Sequence, residues 1–397
     1  MKSKKKYLIL LLFVAIFMSC DKSMNEQVVD CNFNVQTDNA TNPKSELYQQ
    51  LLDEYTVRGL PGISLCIETP EEGLYIGTSG YANIEDGIKM KPCHIHHSAS
   101  IAKTFISTMI LILAQEGKLN LDDPAKNYLP VEIYSNIDNA DVATIRQLMN
   151  HSSGIYNFDD NYKMYVDTFN DTKGNNSTVE LFENYVYGMQ AYFEVGTDNH
   201  YSNTNFSLLG MIIENVSGIS LGDFMQQNII EPLNLQYTYY KSSPNYPNMP
   251  SVVNSYFMHF NNQLQNCTAD QKHFSNIAYG HEGVLSNPYD FAFFMKQLVS
   301  GNIIDDEYLS QMLNFTTNSE GDDYGLGIFK YKTDFETGFG HTGGALGTMT
   351  YAIYFPDSDI SFSMCCNLGP VFVCNLNKLF YDNLFNELIN VIFSEQQ

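Results

Sequence analysis

Tryptophan is absent from the 397 residues and basic residues are scarce, with 21 Lys and Arg against 45 Asp and Glu and a formal net charge of −24. A chain so poor in positive charge offers no surface on which phosphates would release counterions, which excludes nucleic acid as a partner. Charge of either sign is thin, 17% of residues against an ordinary ~25%, while 44% are hydrophobic. That balance excludes a disordered or collagen-like chain. No heptad array is present, and no repeat at a period of about 20–50 residues. The aromatic content is carried by 27 Tyr and 26 Phe, read as core and surface filler rather than a carbohydrate platform. What remains is an acidic globular body, long enough for two or three units of ~150 residues or for one large module.

The first twenty residues stand apart. Lys2, Lys4, Lys5 and Lys6 precede an apolar run from Tyr7 to Met18 that is too short for a ~20-residue membrane span. This is the pattern of a secretory leader. It ends in Phe17-Met18-Ser19-Cys20, which resembles a bacterial lipobox. On that reading residues 1–19 are a lipoprotein signal peptide and Cys20 is the lipidated first residue of the mature chain, anchored in the cell envelope. The alternative is an ordinary cleaved leader that happens to contain Cys20. Residues 20–44 are polar and read as a tether. Without the four leader lysines the balance is 17 basic against 45 acidic, or −28, so the body should stand off an anionic membrane surface. Of the seven other cysteines, Cys66, Cys365 and Cys366 lie in apolar, strand-like runs. Export permits disulfides, but a chain this long needs no staples, and mainly free core thiols are expected.

Pro61–Glu68 and Leu74–Gly80 read as two strands joined by a Pro-Glu-Glu-Gly turn. From Ala102 the period becomes helical, with Phe105, Ile106, Met109, Ile110 and Leu113 on one face and Gly117 as the stop. A second helix runs from about Asn203 to Val216, and a third from Leu221 to Leu233. Residues 157–199 are polar and weakly periodic, so loops with short helices are expected there. Thr350–Phe355 and Ile360–Asn367 flank a Pro-Asp-Ser-Asp turn, and Leu376, Phe380, Leu384, Leu388 and Ile392 mark a closing helix. Strands at both ends with helices between predict an α/β lobe enclosing a helical insertion.

The motif that bears on chemistry is Ser100-Ile101-Ala102-Lys103 at the start of the first helix. Residues i and i+3 share a helix face, so the hydroxyl has an amine within reach. A serine attacks only when a base takes its proton, and a lysine serves as base only when burial or nearby cations lower its pKa. Alone this pair is weak. Two further elements follow in order: Tyr201-Ser202-Asn203 opening the second helix, and His341-Thr342-Gly343 after Gly338-Phe339-Gly340. With these the sequence resembles the serine β-lactamases and penicillin-recognising D-alanyl-D-alanine peptidases, specifically their class C-like branch. The likeness extends through Gly117–Pro124, Ile145–Ile155, Phe193–Gly210 and Glu282–Asp290, covering roughly residues 45–392.

The resemblance implies an α+β fold: a central antiparallel sheet flanked by helices, with an all-helical lobe inserted. The α/β lobe would comprise about 45–98 and 276–392, and the helical lobe about 99–275. It implies an acyl-enzyme on Ser100, with Lys103 and Tyr201 sharing proton transfer and the phenol made usable by cationic Lys103. Asn203 would bind the substrate amide and Lys103. Thr342 would meet a substrate carboxylate and Gly343 would allow a sheet-edge strand to approach closely. The N–H groups of Ser100 and Gly344 would form the oxyanion hole. His341 replaces the lysine of many β-lactamases and points toward D-alanyl-D-alanine carboxypeptidase-like or D-peptidase activity on cell-wall-type peptides. If His341 holds an anionic substrate, activity should fall above its pKa. A class C-like β-lactamase or carboxylesterase is the alternative, and a penicillin-binding protein without turnover the next.

No cofactor is implied. His94-Ile95-His96-His97 suggests a metal, but zinc needs three or four convergent ligands, so structural histidines and no metal are expected. His151 also reads as structural.

Overall fold

A computed structural model of the protein describes residues 31–170, 177–241, 251–258, 263–277, 279–317, 321–370 and 375–394. The leader, Cys20 and Cys374 lie outside the described residues. Nine strands form one antiparallel sheet: β1 (Gly62–Thr69), β2 (Gly73–Asn83), β3 (Ile88–Lys89), β4 (Thr316–Thr317), β5 (Asp323–Tyr324), β6 (Phe329–Lys332), β7 (Thr337–Ala345), β8 (Thr348–Phe355) and β9 (Ile360–Cys366). Their spatial order is β3-β2-β1-β9-β8-β7-β6-β5-β4. The first strand in sequence therefore pairs with the last, β1 with β9, Ile63 opposite Cys366.

Helices cover both faces, so every residue of β9 is buried, including Ser361 and Ser363. Period two in Ile360–Cys366 thus divides two interiors. Ile360, Phe362, Met364 and Cys366 face a core shared with α1 (Ser45–Val57) and the closing helix, while Cys365 faces the other core. Ser363 satisfies its hydroxyl on the Tyr351 carbonyl at 2.7 Å, as a buried donor must. The second core is built on α2 (Ala102–Gln115), which is buried nearly all round, as expected of a helix central to its lobe. It packs against α3 (Asn203–Ser217) and α4 (Pro288–Val299), with Phe105 stacked on Phe294 at 3.7 Å between ring centroids. Burying one such ring contributes about 2 kcal/mol. Gly218, at φ 76°, ends α3 in the left-handed conformation that glycine adopts freely.

Three expectations are corrected and one is met in the main. The all-helical lobe stops near Leu235 rather than residue 275, because Tyr239–Tyr240 pairs with Val284–Ser286 beside His96–His97, and Tyr256 bonds across to Asn367. Residues 31–44 are docked rather than a free tether: Asn42 and Lys44 are buried, and Lys44 pairs with Glu72 at 2.9 Å. The expectation of mainly free core thiols is met by Cys66, Cys267, Cys365 and Cys366, which are free and buried, with Cys31 disulfide-bonded to Cys93 beside them. The closing helix is α from Asn375, π-helical over Leu379–Leu384, and α again as α5 (Phe385–Phe393). Its apolar residues recur every four positions, overshooting the 3.6 of an α-helix, and the wider π turn keeps all five on the buried side.

Candidate active site

The strand pair at His96–His97 delivers the chain to the start of α2. Thr348 and Thr350 of β8 donate to the carbonyls of His97 and Ser98, both at 2.9 Å, and the Ser98 N–H donates to Val284. Ala99 then takes φ 46°, a left-handed conformation costly for a non-glycine residue, and turns Ser100 onto a half-buried ledge. One turn on, Lys103 is fully buried, with Nζ 2.9 Å from Ser100 Oγ and 3.1 Å from the His281 carbonyl. Burial pulls the Lys103 pKa down, while Glu282 and Asp159 act in the opposite direction. Burial likewise pushes Glu282 up, and raises Asp159 to about 6 against the pull of Lys103 and Asn203. The lysine is thereby held where it can lose its proton near neutrality, as a general base for serine requires.

Tyr201 lies over the same group, its ring centroid 4.9 Å from Lys103 Nζ. His151 supports it at 4.3 Å between ring centroids and accepts the Ser202 N–H at Nδ1, 3.1 Å. His151, read from the sequence as structural, thus packs against Tyr201 within the site. Burial pushes the Tyr201 phenol above its ordinary value, with a hydrogen bond to Ser100 opposing. Of the two roles expected for the phenol, acid or base, this burial favours the acid, a protonated Tyr201 suited to donate. Asn203 departs from expectation as well. Its amide donates to Asp159 rather than engaging Lys103, and its buried Oδ1 has no partner.

The third motif lies on β7. Strand β6 pairs only with Thr337–Gly340, so among the described residues His341–Ala345 have a strand neighbour on the β8 side alone. β7 is thus internal to the sheet over its first half and an edge over its second, where Thr342, Gly343 and Gly344 pass the nucleophile turn. His341 is 1% exposed. Its Nδ1–H donates to the Thr342 carbonyl and its Nε2 accepts from Tyr324 at 3.1 Å. Burial, reinforced by Lys103, lowers its pKa to about 3. Burial thus favours the neutral imidazole, which argues against the expected role of His341 as a titrating cation for an anionic substrate.

The histidine run is occupied elsewhere: His94 accepts the Lys91 N–H, and His96 meets Ser64 at 3.1 Å. Among the described residues no group of three His, Cys, Asp or Glu could hold a metal ion. Sequence reasoning missed Asp159, on the short 3-10 turn Phe158–Asp160, and took Glu282 only as the lead-in to α4. The visible signal for Glu282 was a carboxylate within a stretch that bears the resemblance, whereas Asp159, among other polar residues, gave none.

Comparison with known proteins agrees with this geometry. Penicillin-binding protein 4* of Bacillus subtilis (strain 168) is 31% identical over 172 residues, 42% of this chain and 35% of that protein. The chain spans less than half the length of the curated relatives it matches. A D-stereospecific amidohydrolase from Streptomyces sp. superposes at TM-score 0.70 and 25% identity, covering 86% of this chain and 99% of that one. D-amino acid amidase from Ochrobactrum anthropi SV3 shares the fold at TM-score 0.75, 22% identity and 87% and 98% coverage. The model of the Beta-lactamase family matches residues 48–379, and with Ser100, Lys103 and Tyr201 converging in one pocket the chain belongs to that family of serine hydrolases.

Proposed function

We propose that this serine hydrolase cleaves amide bonds of D-amino-acid-containing peptides of the cell-wall type through an acyl-enzyme on Ser100. The observation that carries the reading is the buried, unpartnered Oδ1 of Asn203, whose amide donates to Asp159, a carboxylate that interacts with Lys103. An orphaned acceptor costs about 1–3 kcal/mol, and a substrate N–H would satisfy it. A peptide or amide brings that N–H, whereas a simple ester does not. Neutral His341 leaves no fixed cation at the third motif for a carboxylate. That favours a D-peptidase or amidase over a carboxypeptidase or β-lactamase, both of which must hold one.

In this mechanism Lys103 takes the Ser100 proton as Oγ bonds to the carbonyl carbon. The N–H groups of Ser100 and Gly344 receive the oxyanion, each such donor being worth about 3 kcal/mol. Protonated Tyr201 gives its proton to the leaving nitrogen as the C–N bond breaks, and Lys103 replaces that proton. Water then attacks the ester, its proton returning to the same pair, and Ser100 is freed. An exported, lipid-anchored location through Cys20 belongs to the same proposal. It is supported by the leader pattern and by the Cys31–Cys93 disulfide, a bond favoured in oxidising compartments.

The test is incubation with a D-alanyl-D-alanine peptide, a D-amino acid amide, their L-isomers and a penicillin, following Ser100 adducts and products by mass spectrometry. Product from the D-amino acid amide, abolished in Ser100→Ala, is expected, and faster turnover of the D-alanyl-D-alanine peptide with its free carboxylate would restore the carboxypeptidase reading. A stable adduct without product would instead make the protein a penicillin-binding receptor.

A further inference from the structure

We propose that Tyr381 is a positioning residue for the oxyanion hole, acting through the peptide unit between Gly343 and Gly344. The inference rests on the acyl-serine reading, in which the Gly344 N–H is one of the two oxyanion donors. Tyr381 lies in the π-helical turn of the closing helix, far in sequence from the three motifs. Its hydroxyl donates to the Gly343 carbonyl at 2.6 Å. That carbonyl and the Gly344 N–H are the two ends of one planar trans peptide, so whatever fixes the first aims the second in the opposite direction. A donor on the carbonyl oxygen also polarises the amide and strengthens its N–H as a donor.

Tyr381 is itself held in place. Tyr351, which faces Thr342 in the sheet register, donates its hydroxyl to the Tyr381 carbonyl at 3.0 Å. The Tyr351 and Phe380 rings meet the Tyr381 ring edge-on at 5.7 and 5.2 Å. The fit on the glycine side is close: a Cβ on Gly344 would stand 2.7 Å from the Tyr381 hydroxyl. The hydroxyl thus occupies the space that the missing side chain leaves.

Oxyanion charge develops only on the way to the tetrahedral intermediate, so the contribution of Tyr381 should appear in kcat and not in KM. The test uses the full chain and Tyr381→Phe, which keeps the ring, with a p-nitrophenyl ester and its thiono analogue as probes. The p-nitrophenolate leaves without needing a proton, which isolates the oxyanion step, and a C=S sulfur is a poor hydrogen-bond acceptor. Expected are a kcat about tenfold lower on the ester with KM unchanged, an equal weakening of phenylboronic acid, whose adduct mimics the oxyanion, and little change on the thionoester. Unchanged kcat, or equal losses on both esters, would overturn the role of Tyr381. Turnover surviving in Ser100→Ala would overturn the acyl-serine reading instead. Tyr351→Phe carries the same measurement if Tyr381→Phe does not fold.

Discussion

Gly343 lies against the turn that carries the nucleophile: a Cβ placed on it would come 2.3 Å from the Ser98 carbonyl oxygen and 2.9 Å from the Ala99 Cβ. The third motif and the first are therefore in backbone contact, and the distance from β7 to Ser100 depends on a side chain that is missing.

Gly343→Ala should push β7 away from Ser100. Because a misplacement of ~1 Å costs on the order of a hundredfold in rate, kcat/KM should fall about that much while the fold persists. Steady-state kinetics alongside circular dichroism checks it, and wild-type turnover in the alanine variant would show that the contact relaxes without moving the site.

Glu282 sits among the charges that govern Lys103. The carboxylate raises the lysine pKa, so Glu282→Gln removes that support and lets burial lower Lys103 further. A base that must be unprotonated then becomes available at lower pH. The acidic limb of the kcat/KM profile should shift downward in pH, with a lower plateau because a weaker base drives proton transfer less well. A limb that moves upward would refute the assignment of Lys103 as base.

His341 should contribute no limb to the activity profile between pH 6 and 9, because its folded pKa is about 3. His341→Asn is expected to keep the parental shape over that range. Its effect is on stability. A histidine whose folded pKa is depressed stabilises the fold above its unfolded value of ~6.5 and loses that contribution as pH falls toward the folded one. His96, lowered to about 3, acts with the same sign. Melting temperature should therefore drop between pH 6.5 and 4, and less steeply in His341→Asn, as differential scanning calorimetry would show.

The Cys31–Cys93 disulfide closes a loop across 62 positions of sequence. Chain-entropy reasoning puts its stabilisation at up to about 4 kcal/mol. Cys31→Ser, or reduction, should lower the melting temperature by several degrees. Because Cys93 lies on the segment leading to Ser100, residual activity should fall more steeply with temperature. An unchanged melt under reducing conditions would show that the docked segment is held by its hydrogen bonds alone.

Much of the fold was legible because period and punctuation are local. The strands around Ile63 and Ile76, the stop at Gly117 and the turn at Pro356–Asp359 all appear where pattern placed them. The four-residue stripe of the closing helix was legible too, but not its π turn, since the extra residue per turn is chosen by the core it lies on. Polar Ser361 and Ser363 look solvent-facing by period two; only the helix on the second face makes them interior. The docking of residues 31–44 was invisible, because polar composition does not reveal which carbonyls and carboxylates wait for it.

At the site the division is sharper. The order of Ser100, Lys103, Tyr201, Asn203 and His341–Gly344 along the chain determined the family and singled out Ser100 as the candidate nucleophile, since those residue types at those spacings have few other uses. Protonation states were decided by tertiary structure alone. A pKa depends on how much water and how many charges surround a group, and Asp159, Glu282 and Lys103 meet from three distant parts of the chain. The same burial lowers the pKa of Lys103 and of His341 and raises that of Tyr201, which is what the proposed roles of the three require.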